Sequence, residues 1–316
     1  MRALFEHSQL LKSTKSIAES GVSMLENHNI CDFSVFDHEF LPFNYLSNRD
    51  KQVIRQYIQN FSCVINLIRL TKQVPFVLEI GSGLSTIVFS KLLTHPNEKI
   101  ISLDACFQDA IILNTRGLQK SFQIKKYTNC NIIQGTSIGI DELNAFYSSP
   151  SSTLLSMIPE NVLAHLDLFF NISLDDRKYH KIAGIIENPF LTPAVLKKYL
   201  LKNSLFCNQL MQSYRTQHDE FEFLKNTSCS PMLRSTLIQY HPNIIYLDSG
   251  EFSNNLEFNI VTELAPSGSI LILQDIFFPK SIKSFLIASS ILSSPHWQVL
   301  WIDRTTPQGI VICKKR

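Results

Sequence analysis

No apolar run in the 316-residue sequence reaches the roughly 18 residues that a membrane-spanning helix requires, so a membrane partner is not expected. Cys-x-x-Cys pairs are missing as well. The seven cysteines stand alone at positions 31, 63, 106, 130, 207, 229 and 313, an odd and unpatterned set that suits a reducing compartment and argues against a disulfide framework. Dense basic blocks are absent apart from the terminal Lys314-Lys315-Arg316, and a formal charge of +2 lacks the electrostatic footprint of a nucleic-acid binder. Residues 1–26 carry charges throughout and have no apolar core of the signal-peptide kind. The expected location is therefore cytoplasmic. G-x-x-x-x-G-K-[ST] does not occur, which disfavours a phosphate-gripping P-loop, and no internal repeat is found. Charged residues are few, at 18%, against an ordinary hydrophobic share of 45%. That balance belongs to a folded chain of one large domain or two small ones.

The most informative stretch is Val77-Leu78-Glu79-Ile80-Gly81-Ser82-Gly83-Leu84-Ser85-Thr86. Phe76, Val77, Leu78 and Ile80 read as a short strand buried on both faces. The glycines allow a tight turn and close approach of a ligand to the backbone. Ser85 or Thr86 then opens a helix running to about Leu93. Strand, glycine loop and helix form the first unit of a nucleotide-binding α/β fold.

Before it, Val53, Ile54, Tyr57, Ile58, Phe61, Val64, Ile65 and Ile68 recur at spacings of three and four and predict an amphipathic helix. After it, Lys99–Asp104 predicts a second strand ending in an aspartate about twenty residues beyond the loop, where such folds hydrogen-bond ribose hydroxyls. A helix is expected over Gln108–Ser121, then a third strand at Asn131–Gln134 ending in Gly135-Thr136-Ser137. From Ile138 to His241 the strand-helix rhythm stops, and a mostly helical insertion is expected. It resumes with a strand ending in Asp248, a helix from Asn254 to Leu264, and a strand ending in Gln274-Asp275. A helix over Ser281–Leu292 leads to Trp297–Ile302 and Ile310–Cys313, which are spaced for an antiparallel hairpin.

The polar strand ends Glu79, Asp104, Thr136, Asp248 and Asp275 would gather at the carboxyl edge of a parallel sheet. A pyrophosphate favours a helix N-terminus without a carboxylate nearby. Glu79 and the Thr86 that replaces the third fingerprint glycine therefore both count against a dinucleotide. A cofactor with an amino group and a sulfonium suits acidic neighbours better.

The glycine-loop stretch, the aspartate of Ile100-Ile101-Ser102-Leu103-Asp104-Ala105, and Leu264-Ala265-Pro266-Ser267-Gly268-Ser269 running on to Asp275 resemble the class I S-adenosylmethionine-dependent methyltransferases. The resemblance covers about residues 75–135 and 243–316. It implies a Rossmann-like α/β fold: a seven-stranded, mostly parallel sheet with an antiparallel C-terminal hairpin. To this would be added a helical N-terminal extension (1–73) and a helical insertion (138–241) between the third and fourth core strands, dividing the core into 74–137 and 242–316. It further implies S-adenosylmethionine as cofactor, with Glu79, Gly81, Ser82, Gly83, Ser85 and Thr86 around its methionine part. Asp104 would hold the ribose with Ala105 beside it. Gly135, Thr136 and Ser137 would lie near the adenine, and Asp248 would face the amino group or the substrate.

The expected reaction is O- or N-methylation of a small-molecule acceptor, with the insertion shaping its pocket. Asp248 and Asp275 are the expected catalytic carboxylates, and His180 and His241 are alternative bases. Asp248 with Gln274-Asp275 is also similar to the metal-site region of the cation-dependent catechol-type O-methyltransferases. Gln274 is a neutral, weaker ligand there, and no metal is expected. Two other functions stay open: a nucleic-acid or protein methyltransferase, for which Asn188-Pro189-Phe190 is a faint base-gripping signal, and a non-catalytic cofactor-binding module. The acceptor and the oligomeric state are not legible.

Overall fold

A computed structural model describes residues 48–105, 110–115, 118–123, 128–147, 220–250, 253–276, 294–303 and 309–316, together with Ser284, Ile287, Ala288 and Ile291. Helix α1 (Asn48–Leu70) precedes strand β1 (Phe76–Ile80), helix α2 (Leu84–Leu92) and strand β2 (Lys99–Asp104). Strands β3 (Ala110–Thr115), β4 (Leu118–Gln123) and β5 (Cys130–Gln134) follow, then helix α3 (Ile140–Tyr147). After a short helical stretch over 220–226 come α4 (Leu233–Tyr240), β6 (Ile244–Leu247), α5 (Ser253–Leu264), β7 (Ile270–Gln274), β8 (Trp297–Asp303) and β9 (Ile310–Lys315).

Seven strands form one sheet in the order β5-β2-β1-β6-β7-β9-β8. The neighbours from β5 to β7 pair in parallel. β9 is antiparallel to β7, and β8 is antiparallel to β9, so β9 alone runs against the rest. The fold is therefore Rossmann-like α/β, closed by a reversed C-terminal strand. Its order reverses between β2 and β6, on either side of β1, which makes the carboxyl end of β1 the switch point where ligands bind in such sheets.

The expected double-sided burial is present. Alternate residues of each strand face opposite layers. In β6, Ile244 and Tyr246 pack toward α1 and α2, whereas Ile245 and Leu247 pack toward α4 and α5. The first layer is fastened by an aromatic column in which Phe61 of α1 stacks on Phe89 of α2 at 3.9 Å, with Tyr57 stacked on Phe61 at 5.1 Å. Tyr246 of β6 meets Phe61 and Phe89 edge-on at 5.3 and 5.8 Å. Arg69, in the last turn of α1, grips the buried Glu98 through both carboxylate oxygens at 2.6 and 2.7 Å, a bidentate geometry that fixes the helix end before β2.

One expected element is wrong. Where a helix is expected over Gln108–Ser121, the described residues are strand: β3 and β4 pair as a separate antiparallel ribbon. Thr115 pairs with Leu118, so only Arg116-Gly117 separates the strands. Two residues that include a glycine are the loop length of a tight hairpin. A short apolar run such as Ile111-Ile112-Leu113 does not distinguish helix from strand by periodicity alone.

The expected extension is represented by α1, and the expected insertion by α3, residues 220–226 and α4, all helical. Residues 1–47 and 148–219, with the expected Thr192-Pro193 helix start, lie outside the described residues. Of the expected helix 281–292, Ile287, Ala288 and Ile291 are helical and buried. Among the described residues no helix is long and apolar enough to cross a membrane.

Candidate functional site

At the switch point the chain leaves β1 through Gly81, whose φ is +91°. Its N–H donates to Leu103 O of β2 at 3.0 Å, and a Cβ on it would stand 2.8 Å from the carbonyl oxygen of Asp248, after β6. This glycine is thus pinched between the two strands that flank β1. Gly83 is different. Its φ of −172° is ordinary extended backbone, and the nearest atom to an added Cβ is Ser85 Oγ at 4.0 Å. Space is therefore left on the outer side of the loop, while its N–H is held by Thr86 Oγ1 at 2.8 Å.

The structure places Glu79, Ser85 and Thr86 beneath this loop. Ser85 Oγ and Thr86 Oγ1 each donate to one oxygen of the Glu79 carboxylate, both at 2.5 Å. All three are buried, Glu79 completely. Burial pushes the Glu79 carboxyl up to about 7, assisted by the negative charge of Asp248 and opposed by the hydroxyls of Ser85, Thr86 and Ser102. These side chains shape the loop from within, and Ser82 and Gly83 make its half-buried outer side. Ser82 also reaches sideways, donating from Oγ to Asp104 Oδ2 at the end of β2. Loop and second strand end are thereby joined as one surface.

Gly135, Thr136 and Ser137 follow β5 and are overlaid by the segment leading into α4. Thr136 bridges to Pro231, its carbonyl accepts the Met232 N–H at 2.8 Å, and Ser137 O accepts the Leu233 N–H at 3.0 Å. A Cβ on Gly135 would lie 2.5 Å from Met232 Cγ, so that glycine admits the overlying segment. Cys229 Sγ approaches the Ala105 carbonyl at 3.8 Å, which brings the same segment beside Asp104.

Two carboxylates here carry no mark in the sequence. Glu257 of α5 is fully buried and accepts the hydroxyls of both Ser137 and Ser249, tying the end of β5 to the loop after β6. Glu220, on the insertion side, accepts the Ser253 N–H at 2.9 Å and lies against Gly250, where a carboxylate suits the positive end of α5. The polar start of α5 is buried with Glu257: Ser253, Asn254 and Asn255 are all buried too, as a helix start facing strand ends requires.

Asp248 follows β6, and its Oδ2 accepts from the Tyr246 phenol at 3.2 Å. Tyr246 also contacts Gln274 Oε1, which takes the Tyr57 hydroxyl at 2.5 Å. Burial and the charge of Asp248 raise both phenols well above their ordinary range, so each keeps its proton. Gln274, considered as a weak metal ligand, instead turns its carboxamide oxygen into this buried hydroxyl set. Among the described residues no three His, Cys, Asp or Glu side chains are grouped to hold a metal ion. Asp275 has a φ of +62° and donates its N–H to Gly309 O at 3.0 Å, which turns the chain away after β7. His241 is removed from consideration as a base. It caps α4 ahead of β6, at the amino edge of the sheet and exposed, opposite to Asp248. His180 and Asn188-Pro189-Phe190 lie outside the described residues.

No family model and no curated protein matches the chain. Among solved structures it is similar to a candidate O-methyltransferase from Klebsiella pneumoniae, with 10% identity and a TM-score of 0.37 over 96% of this chain and 99% of that one. It is also similar to the O-methyltransferase from Bacillus cereus in complex with SAH (10%, TM-score 0.36, 95% and 91%). A third is a candidate caffeoyl-CoA O-methyltransferase from Staphylococcus aureus (10%, TM-score 0.36, 93% and 97%). At these scores the fold assignment stands on strand order and register alone.

Proposed function

We propose that the chain binds S-adenosylmethionine at the Gly81–Gly83 loop and is a methyltransferase acting on an oxygen or nitrogen of a small-molecule acceptor. The observation that carries this reading is the open outer side of Gly83, set between two strand-end carboxylates, Asp104 and Asp248, and over the buried Glu79. A helix N-terminus ordinarily favours an anion. A carboxylate directly under α2 and two more beside the loop reverse that preference toward a ligand carrying positive charge and hydroxyls. Asp104 is the proposed acceptor of vicinal ribose hydroxyls, and Ser82 donates to one of its oxygens. When bound, the cofactor would supply an activated methyl group on a sulfonium. The chain's part is to orient the acceptor and to take its proton, for which Asp248 and Asp275 are the proposed carboxylates. Gly135, Thr136, Ser137 and Ala105 are the proposed wall on the adenine side. No metal is invoked. Four described cysteines, Cys63, Cys130, Cys229 and Cys313, are free thiols, which supports a cytoplasmic setting.

Isothermal calorimetry with S-adenosylmethionine tests this directly. Gly83→Ala is expected to melt within a few degrees of the wild type, because the added methyl comes no closer to another side chain than Ser85 Oγ at 4.0 Å. It should nevertheless lose at least roughly tenfold in affinity by filling the space reserved for the ligand. Asp104→Ala should weaken binding by about 1–3 kcal/mol. No heat with the wild-type protein would sink the proposal. Full affinity in Gly83→Ala would move the ligand off the loop.

A further inference from the structure

The Asp248 carboxylate is reached from below by a buried chain of hydroxyls that starts on α1. Tyr57 O–H meets Gln274 Oε1 at 2.5 Å, the Tyr246 oxygen also contacts that Gln274 oxygen, and Tyr246 O–H meets Asp248 Oδ2 at 3.2 Å. The two phenol oxygens are 3.5 Å apart. Packing alone asks for none of these oxygens. Tyr246 is completely buried in a strand covered on both faces, and its ring sits edge-on against Phe61 and Phe89, where phenylalanine would fill the same space.

Proton counting shows what the hydroxyls do. Tyr246 has one proton and three acceptors within reach, Gln274 Oε1, Asp248 Oδ2 and, farthest off, the Tyr57 oxygen. A glutamine carboxamide presents an acceptor at one end and two donors at the other. Gln274 Oε1 is already served by the Tyr57 hydroxyl, so the Tyr246 proton is available to Asp248, whose charge makes it the stronger acceptor.

We infer that Tyr246 is a positioning residue for Asp248. Its ring, immobilised by the aromatic column, aims a fixed donor at Oδ2, and the Tyr57 hydroxyl, by occupying Gln274 Oε1, leaves that donor to the carboxylate. The role of α1 is then more than cover for the sheet, since it supplies the outer end of the chain that orients a group at the ligand edge. This rests on the reading of that edge as a site for S-adenosylmethionine.

The experiment is a double-mutant cycle on the full chain, with S-adenosylmethionine affinity read by calorimetry and folding by thermal melting. Tyr246→Phe in the wild-type background is expected to weaken binding roughly tenfold. In an Asp248→Asn background the same change should alter binding less than about twofold, because the group it orients is gone. Tyr57→Phe, which leaves Asp248 and its donor in place, should give a smaller loss of roughly threefold with the same dependence on Asp248. It keeps the test available if Tyr246→Phe does not fold. An equal loss in both backgrounds would make the tyrosine merely structural and overturn the inference. No loss in either would do the same. Failure of the wild type to bind would overturn the reading of the site itself, a different result from binding that is indifferent to the tyrosines.

Discussion

Gly81→Ala is expected to destabilise the protein by about 3 kcal/mol, the largest loss from any single added methyl in the candidate site. Two separate costs combine. A φ of +91° is left-handed territory in which a Cβ costs about 1–2 kcal/mol. In addition, that Cβ would lie 2.8 Å from the Asp248 carbonyl oxygen, backbone that moves only if β6 moves, and overpacking of that kind costs about 1–3 kcal/mol. β6 is paired to β1 through Ile80 and Leu247 immediately below, so relief of the clash pulls on the centre of the sheet. Gly268 separates the two terms. Its φ is +88°, but no atom lies within 4 Å of an added Cβ. Gly268→Ala should therefore lose about 1–2 kcal/mol from backbone strain alone. Urea unfolding of both variants beside the wild type measures the difference. Equal losses would mean that β6 yields freely at Asp248, and the loop would then not be clamped at the switch point.

That clamp explains which parts of the molecule were legible beforehand. Gly81 and Asp104 could be read because the constraints on them are local: a turn directly after a strand, and a carboxylate where a strand ends. The buried strands were legible for the same reason, since Val77, Leu78 and Ile80 have no polar alternation to offer a solvent face. Glu79 was expected beside the methionine part of the cofactor, but its complete burial in β1 was not foreseen, because that depends on Ser85 and Thr86 folding back over it. The ribbon of β3 and β4 was misread because Ile111-Ile112-Leu113 fits either period. Gln274 illustrates the limit most clearly. It was considered as a weak metal ligand from its neighbours in sequence, yet its partners are Tyr57, more than two hundred residues away on α1, and Tyr246 on the adjacent strand. Glu257 and Glu220 were invisible for the same reason, since each is defined by hydroxyls or N–H groups that only the tertiary fold brings to it.

Glu79→Gln is expected to change the pH dependence of stability more than any other single substitution. The carboxyl is pushed up from its ordinary 4.5 to about 7, chiefly by burial. The folded state therefore holds this proton more tightly than the unfolded state does. Its contribution to stability is fully present below pH 4.5 and is lost as pH rises through about 7. At about 1.4 kcal/mol per tenfold in proton affinity, the loss amounts to about 3 kcal/mol. Glutamine copies the protonated form: it is neutral, of the same length, and able to donate or accept toward Ser85 and Thr86. The variant should thus match the wild type near pH 4 up to a constant offset, and gain on it progressively to about 3 kcal/mol by pH 8. Subtracting the two unfolding curves removes every other titrating group, because those are shared. A flat difference across pH 4 to 8 would show that the Glu79 carboxyl titrates as in water and is fully ionised at neutrality, which would overturn the effect of burial on it. A difference that rises as expected would establish a carboxylate half-ionised near neutrality beneath the candidate site, where a positive charge bound above it favours its ionised form.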